Sequence, residues 1–147
     1  ISMYNGITTV SNGIASELAT VDLTGRTANI GATTMYAVPS TGVGMYRISA
    51  YVIETTAGSI SSTLPNVQVL YTDADTGGVI TIDATPILGI AGIGQTGALT
   101  ANTVGTASSG VIVVYAKAST NIQYSTVNYA SNLAGMAYSL RIKVEAL

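Results

Sequence analysis

The 147-residue chain contains no cysteine, no histidine, no tryptophan and no phenylalanine. Each absence removes a class of chemistry. Without cysteine there is no disulfide framework, no thiolate metal site and no thiol nucleophile. Without histidine there is no Ser-His-Asp triad, no imidazole base and no usual zinc or haem ligand set. Charge is scarce as well, at 8% of residues against roughly 25% in an ordinary soluble domain. The five basic residues, Arg26, Arg47, Lys117, Arg141 and Lys143, are scattered, so no clustered basic patch for nucleic acid is present. No apolar run reaches the ~18 residues of a membrane helix; the longest, about Val111 to Ala116, has strand length. No signal peptide is recognisable, and a start at Ile1 rather than Met leads to the expectation of a processed terminus.

What is present is a β pattern. Hydrophobic residues make up 48% of the chain, and tyrosine supplies all nine aromatic rings. The dominant period is two. Met136, Tyr138, Leu140, Ile142, Val144 and Ala146 fall on one side of a strand; Ser139, Arg141, Lys143 and Glu145 fall on the other. Tyr46, Ile48, Ala50 and Val52 share a face in the same way between Met45 and Glu54. Further strands are expected at 67–71, 79–83, 111–118 and 121–126, with weaker ones at 18–23, 27–30 and 34–38. Turns are expected at Thr24-Gly25, at 39–44 and at 73–78, where Asp and Gly cluster. Many short strands separated by Gly-containing turns predict an all-β, antiparallel jelly-roll sandwich of about 8–10 strands. Residues 1–15 are expected to form an arm or linker, and 16–147 the domain. The Gly/Ala/Thr/Ser-rich stretch 86–110 is expected to be a long loop with a weak strand, or a subunit-contact surface.

Candidate chemistry is sparse. Asp73-Ala-Asp75-Thr-Gly77 opens like an oxygen-ligand calcium loop, making Asp73 and Asp75 metal candidates, although position 84 is Ala where a ligating Glu would fall. A hairpin turn explains the same residues without a metal. Glu54, Asp73, Asp75 and Asp83 are the mid-chain carboxylates from which a glycosidase pair would have to come; the competing reading is solvated strand ends and turns. Arg141, Lys143 and Glu145 alternate on one face of the last strand, where they form ion pairs across subunits, contact an acidic ligand or discourage edge pairing. Tyr46 and Tyr138 sit on apolar strand faces and are expected in the core. Tyr51, Tyr115, Tyr124 and Tyr129 are candidates for a subunit or glycan contact, because tyrosine combines an apolar body with a polar tip.

Three stretches together resemble a known group. Gly44-Met-Tyr-Arg-Ile-Ser-Ala-Tyr-Val52 resembles a strand of the complement-globular-head and tumour-necrosis-factor-like jelly rolls. Ser16 to Thr24 followed by Thr34 to Pro39 resembles the lead-in of small phage-encoded structural domains, and Ala137 to Leu147 their closing strand, with Tyr138 where related heads often carry Phe. The resemblance implies a trimeric, non-enzymatic virion protein, a capsid decoration or the terminal domain of a tail fibre. Its partners would be itself, other virion proteins and a host-surface glycan, with no cofactor and no insertion into a membrane. The alternatives are a virion or extracellular filament subunit that exchanges a strand through 1–15, a glycan-binding module and, least favoured, a carbohydrate-active enzyme.

Overall fold

The computed structural model describes residues 3–4, 7–8, 16–42, 44–85, 99–100, 102–133 and 135–147. The segment 1–15, expected to be an arm, lies outside the described residues apart from a short antiparallel pair, β1 (Met3–Tyr4) and β2 (Ile7–Thr8). Of the expected loop 86–110, residues 86–98 and 101 also lie outside them.

Eight strands form the body: β3 (Ser16–Arg26), β4 (Thr33–Ala37), β5 (Gly44–Thr56), β7 (Asn66–Thr72), β8 (Val79–Asp83), β10 (Ala107–Ala116), β11 (Asn121–Val127) and β13 (Ala137–Ala146). One sheet has the order β10-β5-β13-β3 and the other β4-β11-β7-β8. Every pairing is antiparallel. Taking these eight in chain order, the first pairs with the eighth, the second with the seventh, the third with the sixth and the fourth with the fifth. That nesting is a long hairpin rolled into two sheets, the jelly-roll arrangement. Three short strands, β6 (Ser62–Leu64), β9 (Leu99–Thr100) and β12 (Ala130–Ser131), form a small sheet of order β12-β6-β9.

The alternation read from the sequence fixes which side of each strand is inside. Tyr46, Ile48, Ala50 and Val52 of β5 are buried, as are Tyr138, Leu140, Ile142 and Val144 of β13. They meet Val67, Val69 and Tyr71 of β7 and Ile122 and Tyr124 of β11 in one core. Tyr124, a candidate for ligand contact, is 5% exposed. It points inward because it shares the parity of Ile122, so that candidacy is withdrawn. Glu54 shares the parity of Val52 and is likewise enclosed, at 0% exposed, rather than being a solvated strand end.

Three other expectations change. Thr24-Gly25 is not a turn: β3 runs through it as one strand. Leu23 and Arg26, three apart, face Leu140 and Tyr138, two apart, so the extra residue is a β-bulge. Gly25 takes φ +60, the left-handed conformation a bulge favours in glycine. Residues 27–30 form a loop rather than a strand, and Ile30 is anchored by two bonds, its N–H to Thr126 Oγ1 and its carbonyl to the Thr126 N–H. Finally, β10 begins at Ala107, four residues before the apolar run, since Ser108, Ser109 and Gly110 there pair with Val52, Tyr51 and Ala50.

Tyr138 ties this loop to the core. Its hydroxyl donates to the Ala28 carbonyl at 2.8 Å and lies 3.0 Å from Thr126 Oγ1. Its one proton is used on Ala28, so Thr126 is the donor in the second bond. Tyr138→Phe therefore strands the buried Thr126 hydroxyl and frees the Ala28 carbonyl, and is expected to lower stability by about 1–2 kcal/mol in urea unfolding. A change below the error of such a curve would show that the network contributes nothing.

A candidate subunit-contact face

The outer surface of the β10-β5-β13-β3 sheet is divided across its width. Pairing register lays its outward residues in rows: Val113, Arg47 and Glu145; Val111, Ser49 and Lys143; Ser109, Tyr51 and Arg141. Charge occupies the β13 and β3 side. Arg47 Nε meets Glu145 at 2.7 Å, Lys143 Nζ meets Glu17 at 2.6 Å, and Arg141 pairs with Asp22 and donates to the Leu23 carbonyl at 3.0 Å. The Lys143 bond holds the Glu17 carboxyl below its ordinary range, and Glu17 in turn raises Lys143. Arg141, Lys143 and Glu145 thus find partners within the chain. They do not guard an edge, because β13 is hydrogen-bonded on both sides.

The β10 side is different. The ten residues of β10 include no charged side chain and no proline. Val111, Val113 and Tyr115 point outward with exposures of 62%, 51% and 37%, beside Met45 and Tyr51 of β5. At the edge of the sandwich the end of β10 is joined to the β7–β8 hairpin by the Ala74 N–H to the Tyr115 carbonyl and the Lys117 N–H to the Thr72 carbonyl. Val79 and Ile82 of β8 are exposed as well, on opposite faces of their own sheet, Val79 across from Thr72 and Ile82 across from Val69. Among the described residues, seven of the eleven exposed large hydrophobics lie on β5, β8 and β10. A contiguous apolar strip such as that of β10 and β5 is uncommon on monomers. A shallow depression of about 370 Å³ lies over Ser49, walled by Tyr51, Val111, Arg141 and Lys143. It exists because small residues, Ser49 and Gly110, sit among larger ones.

The outer face of the other sheet carries Gln68, Thr81, Asp83 and Gln123 together with exposed Val79. Gln68 donates to Asp83 at 2.9 Å and Gln123 approaches Thr34 at 3.5 Å.

The remaining sequence candidates separate. Tyr51 and Tyr115 lie on the exposed apolar strip of β10 and β5. Tyr129 packs on the core, its ring 5.9 Å from that of Tyr138 and its hydroxyl donating to the Met136 carbonyl at 2.7 Å. Asp73 organises the hairpin turn. Its Oδ1 accepts from the Asp75 N–H, the Thr76 N–H and the Thr76 hydroxyl, which hold its carboxyl below the ordinary range. Gly77 completes the turn at φ +70. Asp75 is exposed and, among the described residues, no three carboxylates are grouped to hold a metal. The sequence pattern gave no sign of the cross-strand ion pairs, because Glu17 and Lys143 are 126 residues apart.

No family model matches the chain, and no curated protein matches it. Among solved structures, it is similar to the CBM22-1–GH10 modules of an endo-1,4-β-D-xylanase of Clostridium thermocellum, solved with xylohexaose. The match spans 90% of this chain and 24% of that one, at 13% identity and a TM-score of 0.39. A likeness at that level bears on neither function nor ligand.

The Asp73 bonds make a prediction about the metal candidate. Asp73→Ala is expected to lower the melting temperature at neutral pH. That difference shrinks as pH falls through the lowered Asp73 value, since protonation removes the same bonds from the parent chain. Added calcium is expected to leave the melting temperature of the parent unchanged. A calcium-dependent rise abolished by Asp73→Ala would restore the metal reading.

Proposed function

We propose that this chain is a non-enzymatic structural subunit of a phage virion, a jelly roll that acts by packing against copies of itself as a trimer. The setting is capsid decoration or the end of a tail fibre, where it joins other virion proteins and takes part in attachment. The observation that carries this reading is the exposed apolar row of β10, Val111, Val113 and Tyr115, with Met45 and Tyr51 of β5 beside it. A stable contact buries about 800 Å² per partner, so this strip would be the apolar centre of a larger contact whose rim takes in the polar residues around it.

The carboxylates favour the non-enzymatic reading. Glu54 is enclosed, one Asp73 oxygen is committed to its turn, and Asp83 accepts from Gln68. A second reading, a glycan site, draws on exposed Tyr51 beside Ser49 and Ser109 in the depression. It places the same face in solvent rather than in a contact.

Sedimentation equilibrium separates the two. At micromolar concentration the expected mass is three times 14.9 kDa, falling to that of one chain in Val113→Asp, which would bury an unpaired charge in the contact. A parent chain that stays monomeric overturns the assembly reading. Glycan-array binding lost in Tyr51→Ala would then favour the second.

A further inference from the structure

One end of the sandwich, where β5 finishes and β10 and β13 begin, is closed by segments 57–64 and 102–106. Hydrogen bonds lace them together. The Gly58 N–H donates to Asn102 Oδ1 at 2.7 Å, and Asn102 Nδ2 donates back to the Gly58 carbonyl at 2.7 Å. The Asn132 N–H donates to the Ser61 carbonyl, tying in the loop that leads to β13. Glu54 lies beneath this lacing. Its backbone binds the Thr106 carbonyl and the Gly105 N–H. Its side chain is 0% exposed, with Oε1 at 3.1 Å from Ser62 Oγ and Oε2 without a partner.

The geometry has one proton too few. Ser62 Oγ lies within hydrogen-bond distance of two acceptors, Glu54 Oε1 at 3.1 Å and Asn102 Oδ1 at 2.8 Å. A hydroxyl carries a single proton and cannot serve both. A proton on Glu54 removes the conflict. The acid then donates to Ser62 Oγ, Ser62 donates to Asn102 Oδ1, and Asn102 holds Gly58. The leftover Oε2 becomes a neutral carbonyl oxygen, far cheaper to bury than half of an unpaired carboxylate.

No ion pair is found for Glu54 among the described residues. Across the strand pair stands Tyr138, itself flanked by Arg26 on β3, while Ser62 and Thr63 of β6 and Asn102 and Thr103 of the loop bring no charge. Burial pushes the Glu54 carboxyl up, outweighing the Ser62 hydroxyl and the nearby Thr103 backbone that pull it down.

We propose that Glu54 is a proton-dependent latch: with its proton it locks 57–64 to 102–106 and closes this end of the jelly roll, and when the proton is lost to solvent the end loosens. The sign follows from linkage. The contribution of a group raised in the folded state is complete below its ordinary value and is lost as pH rises through the raised one. Closure is thus tightest in acid, and the latch is independent of the contact face on β10.

The test is hydrogen exchange on the full chain at several pH values, corrected for intrinsic rates, together with a carbon-13 titration of the Glu54 carboxyl. Opening at Gly58, Gly105 and Thr106 is expected to grow by up to about tenfold per pH unit between the ordinary and raised carboxyl values, then level off. Amides of Ile122 and Ile142 are expected to stay protected. Glu54→Gln supplies a permanent donor and is expected to hold opening flat. A carboxyl titrating at or below the ordinary range would overturn the latch even if Glu54→Gln fails to fold. So would pH-independent opening in the parent chain, or opening in Glu54→Gln that rises as in the parent.

Discussion

The structure depends on the register of β13 between β5 and β3. It is hydrogen-bonded along both sides, and its inward row of Tyr138, Leu140, Ile142 and Val144 occupies the centre of the core. Side chains alternate strictly along a strand, so a slip by one residue would put Arg141, Lys143 and Glu145 inside and four apolar side chains outside. The same register sets Tyr138 opposite Glu54, Lys143 opposite Ser49 and Glu145 opposite Arg47. Core, ion pairs, depression and latch are therefore consequences of one alignment.

Scarcity of charge becomes a matter of placement. Three acidic and three basic side chains are spent in ion pairs on one side of one sheet. Exposed pairs of this kind add little stability. Their larger effect is to leave β10 uncharged, a long edge strand without the lysines, prolines or inward charges that commonly protect edges. A surface left so apolar is intelligible when neighbouring subunits cover it.

Much of the fold was legible in the sequence, because a period of two is a local signal. The inward rows of β5 and β13 and the 73–78 hairpin follow from alternation and turn chemistry alone. What misled was equally local. Thr24-Gly25 reads as a turn, yet the left-handed glycine serves a bulge inside a strand. Ser and Gly at 107–110 read as loop, yet they pair with β5 because an edge strand tolerates them. Tyr124 and Glu54 have the inward parity of Ile122 and Val52; a hydroxyl and a carboxylate read as signs of exposure, and that misplaced them. The contact face and the latch were not legible, since each joins residues far apart in the chain. Asn102 reaches Gly58 across 44 positions, and Val113 meets Arg47 only through sheet pairing.

The account rests on the apolar strip of β10 and the neighbouring part of β5 being covered by another copy. The most direct measurement is amide exchange of the parent chain as a function of protein concentration, read strand by strand. The account predicts that protection in β10 rises as the protein is concentrated through the assembly range, while β3 and β4, on the opposite side of the sandwich, stay unchanged. Protection independent of concentration, or a rise confined to β3 and β4, would contradict it.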